Sequence, residues 1–437
     1  MKKIHITSLG CAKNLVDSEV LAGQLLHRNC ELIANPNEAD LIIINTCGFI
    51  EDAKKESIQA IFEAVKLRME DKNKKVLVTG CLSQRYRAQL KTEIPEIDAI
   101  FGTEDVKDII SYLGDNHFDP DTIYHIRKLS TPHHYAYVKI AEGCSHTCAF
   151  CAIPQIRGAY RSRKIEEILY EAEILANKGV QEIILVCQDS SNYGKDIYGK
   201  QKITDLLERL AGMQLFKWIR PLYWYPSNFP KRFIYLMNKF SSIIPYVDMP
   251  IQHASDQVLR LMRRGETKNS LRNLYKFIRE IRPDCVLRTT LIIGHPGETE
   301  DDFKQLQEFI TEIRFDRIGT FIYSDEEGTA SYAMENKVKH PVALRRREQI
   351  MALQQKISGE KNKKLQNTIQ TVLIDEYDSS NKCYIGRTYR DAPEIDNEII
   401  IHDEYYRPES IGKFTKVKIF DSSEYELYGE FVVTNRK

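Results

Sequence analysis

The sequence predicts an α/β chain in three parts: an N-terminal parallel α/β domain, a central partial (β/α) barrel and a small C-terminal β-barrel of five strands. Apolar strands alternate with helix-like stretches through about the first hundred residues, and the alternation resumes between about 135 and 340. From about Thr368 the pattern changes to short alternating strands. A chain of 437 residues is also too long for one core. The expected domains run over 1–125, 130–366 and 367–437.

In the first part "KIHITSLG" precedes Cys11, "DLIIINT" precedes Cys47 and "KKVLVTG" precedes Cys81. Loops at the carboxyl ends of neighbouring parallel strands gather along one edge. The three cysteines are therefore expected to converge, although isolated cysteines more commonly fill separate core positions. Gly10 and Gly80 directly precede two of them and Gly48 follows the third, and glycine permits close backbone approach.

The central part opens with "VKIAEGCSHTCAFCAIPQIRG", in which Cys144, Cys148 and Cys151 follow a strand. "IEEILYEAEILANKG" has helical periodicity and ends in glycine, and "VQEIILVC" reads as a buried strand. Further strands are expected in "FKWIRPLYW", "IIPYVDMPI", "CVLRTTLIIG" and "FDRIGTFIYS". In barrels of such units chemistry sits at the strands' C-terminal ends. A basic helical stretch follows from Val342 to Gln366, as a solvated face would also show.

The last part reads as five strands, in "IQTVLIDEY", "KCYIGRTY", "NEIIIHD", "KFTKVKIF" and "LYGEFVV". From Thr368 onward it carries nine Lys and Arg against fourteen Asp and Glu. That balance suits a basic partner better than nucleic acid, if the charge faces outward.

Lys and Arg equal Asp and Glu over the whole chain, 62 each, so no global charge argues for bulk nucleic-acid or membrane binding. The N-terminus turns polar too soon for a signal peptide, and no apolar run reaches bilayer length, so a cytoplasmic protein with no membrane partner is expected. In that compartment ten cysteines point to metal or redox chemistry rather than disulfides. Cys30, Cys187, Cys285 and Cys383 stand alone and read as small core residues.

A tetrahedral zinc site would need a fourth ligand beside Cys144, Cys148 and Cys151, and His146 is cramped inside their loop. A 4Fe-4S cubane on three thiolates leaves one iron open to bind a substrate or cofactor. An electron carrier or a zinc adaptor would need four ligands per site. No paired-carboxylate, nucleophile-elbow or Walker pattern appears in the sequence.

C-x3-C-x2-C with Phe150 before the last cysteine resembles the radical S-adenosylmethionine superfamily. "SLGCAKNLVDSE", "INTCGFI" and "TGCLSQRY" resemble the amino-terminal domain of its methylthiotransferases, and the last module resembles their TRAM domain. The resemblance implies two 4Fe-4S clusters, one on Cys144, Cys148 and Cys151 and one on Cys11, Cys47 and Cys81. It implies S-adenosylmethionine on the first, cleaved to a 5′-deoxyadenosyl radical, and sulfide or persulfide as sulfur source on the second. "SLGCAKNLVDSE" and "GRTYRDAPEIDN" resemble the branch that methylthiolates the β-carbon of an aspartate in the twelfth small-subunit ribosomal protein, with Asn397 where that branch usually has glycine. The other branch modifies adenosine in transfer RNA. A flavodoxin or ferredoxin is the implied electron donor, and the acidic module is the expected contact for the basic ribosomal target.

Cofactor contacts are expected from polar residues at the central strand ends. Gln188 and Asp189 follow one strand, and Arg220 lies late in another, where it would pair with the cofactor carboxylate or close a structural salt bridge. Gln252, His253 and Ser255 follow a third, where a helix cap at Ser255 or Asp256 explains the pattern equally. Gly294 and Gly297 suit close approach of adenine, or a plain turn into a helix capped by Thr299.

Overall fold

The protein is described from a computed structural model covering residues 1–114 and 123–432. Val433, the end of the last expected strand, and residues 115–122 of the expected first domain lie outside the described residues. The first unit is a parallel sheet in the order Glu31–Leu32, Lys3–Ser8, Leu41–Thr46, Lys75–Gly80 and Ala99–Ile100. Leu41–Thr46 is buried at every position, as a central strand covered on both faces must be. Registers Ser8↔Asn45 and Thr46↔Gly80 bring the ends that precede Cys11, Cys47 and Cys81 level with one another.

The central unit is a partial barrel of two parallel three-stranded sheets. One holds Tyr135–Lys139, Glu182–Val186 and Trp218–Pro221, and the other Tyr246–Asp248, Val286–Ile293 and Arg317–Ile322. A bridge between Ile219 and Ile243 carries the curve from one to the other. Its outer face packs Ile183, Leu185 and Leu287 against helices that include Ile165–Asn177, Ile203–Gly212 and Lys268–Ile281. At about 25 cal/mol per Å² of apolar surface removed from water, this burial stabilises the fold.

The inner face is not hollow. Val16 and Val20 of helix Ala12–Leu26 enter it from the N-terminal unit, and Leu373 and Ala392 enter it from the C-terminal unit, packing with Tyr135, Ile184, Trp218 and Tyr246. The C-terminal unit is a closed barrel in the order Ile369–Asp378, Cys383–Arg387, Glu398–His402, Glu426–Phe431 and Phe414–Ser422. Helix His340–Lys363 leads into it and donates through Ser358 and Asn362 to the Glu424 carbonyl.

The acidic balance of this last unit is spent partly inward. Asp391 pairs with Arg317, Asp396 with Arg288, and Asp375 with His134 and Arg387. Glu394 accepts from the Tyr135 hydroxyl at 3.1 Å. These acids hold the unit onto the central barrel, so its net charge is a poor guide to an outward acidic face.

Candidate active site between two cysteine triads

Cys11 is the N-cap of helix Ala12–Leu26, and Cys81 opens helix Cys81–Glu93. Their approach to Cys47 depends on two glycines. A Cβ on Gly10, which has φ +89°, would lie 2.8 Å from Cys47 Sγ, and one on Gly48 would lie 2.7 Å from Leu82 Cα. Asn14 fastens the loops by donating to the Leu9 carbonyl at 2.7 Å and the Thr46 carbonyl at 3.1 Å.

The second triad sits on the loop after strand Tyr135–Lys139. The Cys144 amide donates to the Gly158 carbonyl at 3.0 Å, and the Cys151 amide to the Cys148 carbonyl at 3.2 Å. Tyr225 and Arg264 both reach the Cys148 thiol, and the Arg264 guanidinium lies 4.1 Å from the Tyr225 ring centre. His146 stacks on Tyr225, with ring centroids 3.8 Å apart, and bonds Asp189 at 2.7 Å. Asp189 also accepts from the Ser191 amide, so it both caps a turn and orients the cluster loop. His146 is therefore committed to a carboxylate.

Burial governs the thiols. It pushes Cys144 up to about 11, Cys151 up to about 12 and Cys81 up to about 11, so cationic metal must displace protons to bind them. Burial also acts on Cys11, but Lys13, Arg157 and the amides of Asn14 and Lys13 outweigh it and hold that thiol below its ordinary value. Cys11 is open to solvent even though protein surrounds it on most sides.

The two triads adjoin, since Cys81 packs in one buried cluster with Ala152 and Ile156. A cavity of about 110 Å³ is lined by Phe49 and Ile50, just after Cys47, by Phe150, just before Cys151, and by Gln252, Thr290, Ile292, Phe321 and Tyr323. Glu326 closes its wall and is held by Lys54 at 3.0 Å and by Arg85, both from the N-terminal unit. Gln252, at φ +70°, carries a buried Oε1 with no hydrogen-bond partner among the described residues. Gln188 donates to Glu142 at 2.8 Å and its buried Oε1 is likewise unpartnered. Among the described residues no three His, Cys, Asp or Glu side chains close around one metal ion. Thiolates that each hold a different iron of a cubane must surround a larger body than one ion, so the donor set of each triad fits such a cluster with one iron left open.

Three residues expected at this site make structural contacts, the alternative that the sequence also allowed. Arg220 is wholly buried and turns toward the other end of the barrel, donating to Glu182 at 2.7 Å and to the Tyr389 carbonyl at 3.1 Å. Its strand position was legible, but the direction of a long side chain was not. Ser255 donates to Asp302 and its amide to His253 at 3.0 Å, which ties a helix start to a neighbouring helix. Gly294 makes room for helix His340–Lys363, because a Cβ there would lie 2.6 Å from Ala343 Cβ. Tyr225, Arg264 and Arg157 were not singled out from the sequence, where each reads as an ordinary aromatic or cationic residue. The "PQIRG" and "RRGE" segments next to the loops that they serve were the available signal.

Comparison with known proteins agrees with this architecture. The Uncharacterized protein family UPF0004 matches residues 3–102, the Radical SAM superfamily 138–310 and the TRAM domain 368–432. The "Ribosomal protein uS12 methylthiotransferase RimO" of Clostridioides difficile (strain 630) is 46% identical over 98% of this chain and 99% of its own. That of Aquifex aeolicus (strain VF5) is 46% identical over 98% and 96%, and that of Chloroherpeton thalassium is 43% identical over 99% of each. In fold alone the chain is similar to the radical S-adenosylmethionine methyltransferase TsrM from Kitasatospora setae, with a TM-score of 0.53, 14% identity and 73% of each chain covered. Superfamily membership carries S-adenosylmethionine and a 4Fe-4S cluster as cofactors. The chain belongs to the ribosomal protein uS12 methylthiotransferase family, within the radical S-adenosylmethionine superfamily.

Proposed function

We propose that this enzyme inserts a methylthio group at the β-carbon of an aspartate in the twelfth small-subunit ribosomal protein, using two 4Fe-4S clusters. The reading rests on full-length relatives named as ribosomal protein uS12 methylthiotransferases. The observation that carries the mechanism is the shared cavity, lined from one side by residues following Cys47 and from the other by the residue preceding Cys151. A group activated at one triad and a sulfur held at the other would meet there.

Cys144, Cys148 and Cys151 would hold the cluster that binds S-adenosylmethionine, which supplies one-electron cleavage and a hydrogen-abstracting radical when bound. Tyr225 and Arg264, which reach the sulfur of Cys148, would help to hold that cluster ligand in place. Asp189 would keep His146 stacked and the loop in one conformation. Phe150, Gln188 and Gln252 would line the cofactor, the two glutamines offering the acceptors that lack protein partners. Phe49, Phe321 and Tyr323 would exclude water while a reactive carbon is exposed. Cys11, Cys47 and Cys81 would hold the second cluster and an exogenous sulfide or persulfide. The basic target would dock from outside, and a flavodoxin or ferredoxin would supply electrons. Among the described residues no helix is long and apolar enough to cross a membrane, in keeping with a cytoplasmic enzyme.

The test is anaerobic reconstitution with iron counting and product analysis. About eight irons should fall to about four in the Cys144/Cys148/Cys151 triple alanine variant, with loss of 5′-deoxyadenosine. The Cys11/Cys47/Cys81 triple variant should still form that product but leave the ribosomal protein unmodified by mass spectrometry. Methylthiolated transfer RNA in place of modified ribosomal protein would overturn the target.

A further inference from the structure

Arg157 is buried at the seam between the two triads. One of its nitrogens, Nη2, donates to Cys81 Sγ at 3.3 Å and to Asn14 Oδ1 at 2.9 Å. The other, Nη1, donates to Asp17 at 3.0 Å and to Glu142 at 2.9 Å. The next residue, Gly158, accepts the amide of Cys144. Two consecutive residues thus hold one cysteine from each triad.

The surroundings are arranged to keep this cation in place. Lys139 shares Asp17 and Glu142 with it, and Gln188 donates to the second oxygen of Glu142. Two carboxylates face two cations, so the network is nearly neutral away from the thiols. Lys13 lies over the Tyr223 ring at 3.9 Å and acts electrostatically on Cys11. The N-terminal triad is therefore flanked by two buried cations, and among the described residues the one carboxylate that acts on its thiols is Glu56, which opposes them at Cys47. Charge near a cluster and hydrogen bonds to its sulfurs set its reduction potential. A buried cation favours the more negative, reduced state.

We propose that Arg157 is a positioning residue that raises the reduction potential of the cluster held by Cys11, Cys47 and Cys81, through its hydrogen bond to Cys81, while fixing that triad against the one carrying Cys144. The role rests on the two-cluster reading. It matches the electron count of sulfur insertion. A carbon radical brings one electron and a sulfide lone pair two, the C–S bond keeps two, and the third passes to an electron acceptor of the iron-sulfur class. A site that welcomes the electron and an anionic sulfur ligand favours bond formation.

The test uses the full-length Cys144/Cys148/Cys151 triple alanine protein, in which a single cluster reports. Its parent should hold about four irons; a parent without iron overturns the two-cluster reading and this proposal together. Arg157→Gln and Arg157→Lys are then introduced, and the midpoint potential is followed by electron paramagnetic resonance during redox titration. The expected result is a lower midpoint in Arg157→Gln and an intermediate one in Arg157→Lys, with about four irons retained. Should Arg157→Gln fail to fold, Arg157→Lys, which keeps the charge for Asp17 and Glu142, decides alone. An unchanged midpoint in a variant that keeps its iron overturns the proposal.

Discussion

Arg387 of the C-terminal barrel donates to Glu182 of the central barrel at 2.8 Å, and both side chains are buried. Glu182 also accepts from Arg220, so one carboxylate bridges two arginines, with Asp375 completing the charge on Arg387, at the end of the barrel away from the cysteine triads. Deleting the chain from Thr368 would leave Glu182 and Arg220 paired but strip Arg317 and Arg288 of Asp391 and Asp396 and uncover Trp218. Breaking a buried pair costs about 3–5 kcal/mol. The truncated protein should therefore melt at a much lower temperature or fail to fold by circular dichroism. A truncation with an unchanged melting temperature would show the C-terminal unit to be an independent docking module.

Asp189 should matter through His146. Asp189→Asn keeps the turn cap but weakens a charge-assisted bond, and Asp189→Ala removes both. The expected outcome is normal folding with slower 5′-deoxyadenosine formation in the first variant, and lower iron retention in the second. Equal rates and equal iron in both would reduce Asp189 to a turn residue.

Gln252 offers an acceptor that the protein leaves unused. Gln252→Glu would change a neutral acceptor into an anionic one in a buried place, while Gln252→Ala removes it. Loss of one hydrogen bond of about 1 kcal/mol corresponds to roughly five-fold in affinity. S-adenosylmethionine binding, followed by calorimetry on the iron-loaded enzyme, should weaken by that order in Gln252→Ala with little change in melting temperature. Unaltered binding would place the cofactor away from this side chain.

The strands and the two triads were legible because both depend on local pattern. A strand reads from its apolar run, and a parallel sheet forces the residue after each strand to one edge, so Cys11, Cys47 and Cys81 could be brought together before any coordinates. The two readings open for Arg220, Ser255 and Gly294 could not be decided there, because strand positions do not reveal which end of the barrel a side chain reaches or which helix packs above. Arg157 was missed for the same reason. Its four partners are separated from it by 15 to 143 residues. The acid excess after Thr368 was counted correctly, but composition cannot tell an acid facing solvent from Asp391 facing Arg317.

Two buried histidines set the acid limit of the fold. Burial depresses His253 to about 3 and His295 to about 4, against an ordinary value of 6.5. His253 Nδ1 accepts the Ser255 amide, and His295 donates from Nδ1 to the Pro296 carbonyl and accepts from Ser331, so both are neutral in the fold. Below 6.5 the unfolded chain binds protons that the folded chain refuses, and stability falls as pH drops toward those depressed values. Each group contributes up to about 1.4 kcal/mol per pH unit. Asp316 and Asp375, held below 3.8 against the opposing effect of burial by cations that include Lys361 and Arg387, keep their contribution until more acid conditions. The melting temperature of the loaded enzyme should thus decline between pH 6.5 and 5.5, before Asp316 or Asp375 titrates. In His295→Asn the decline should be shallower by about one proton's worth, and a slope identical to that of the parent would remove His295 from the account.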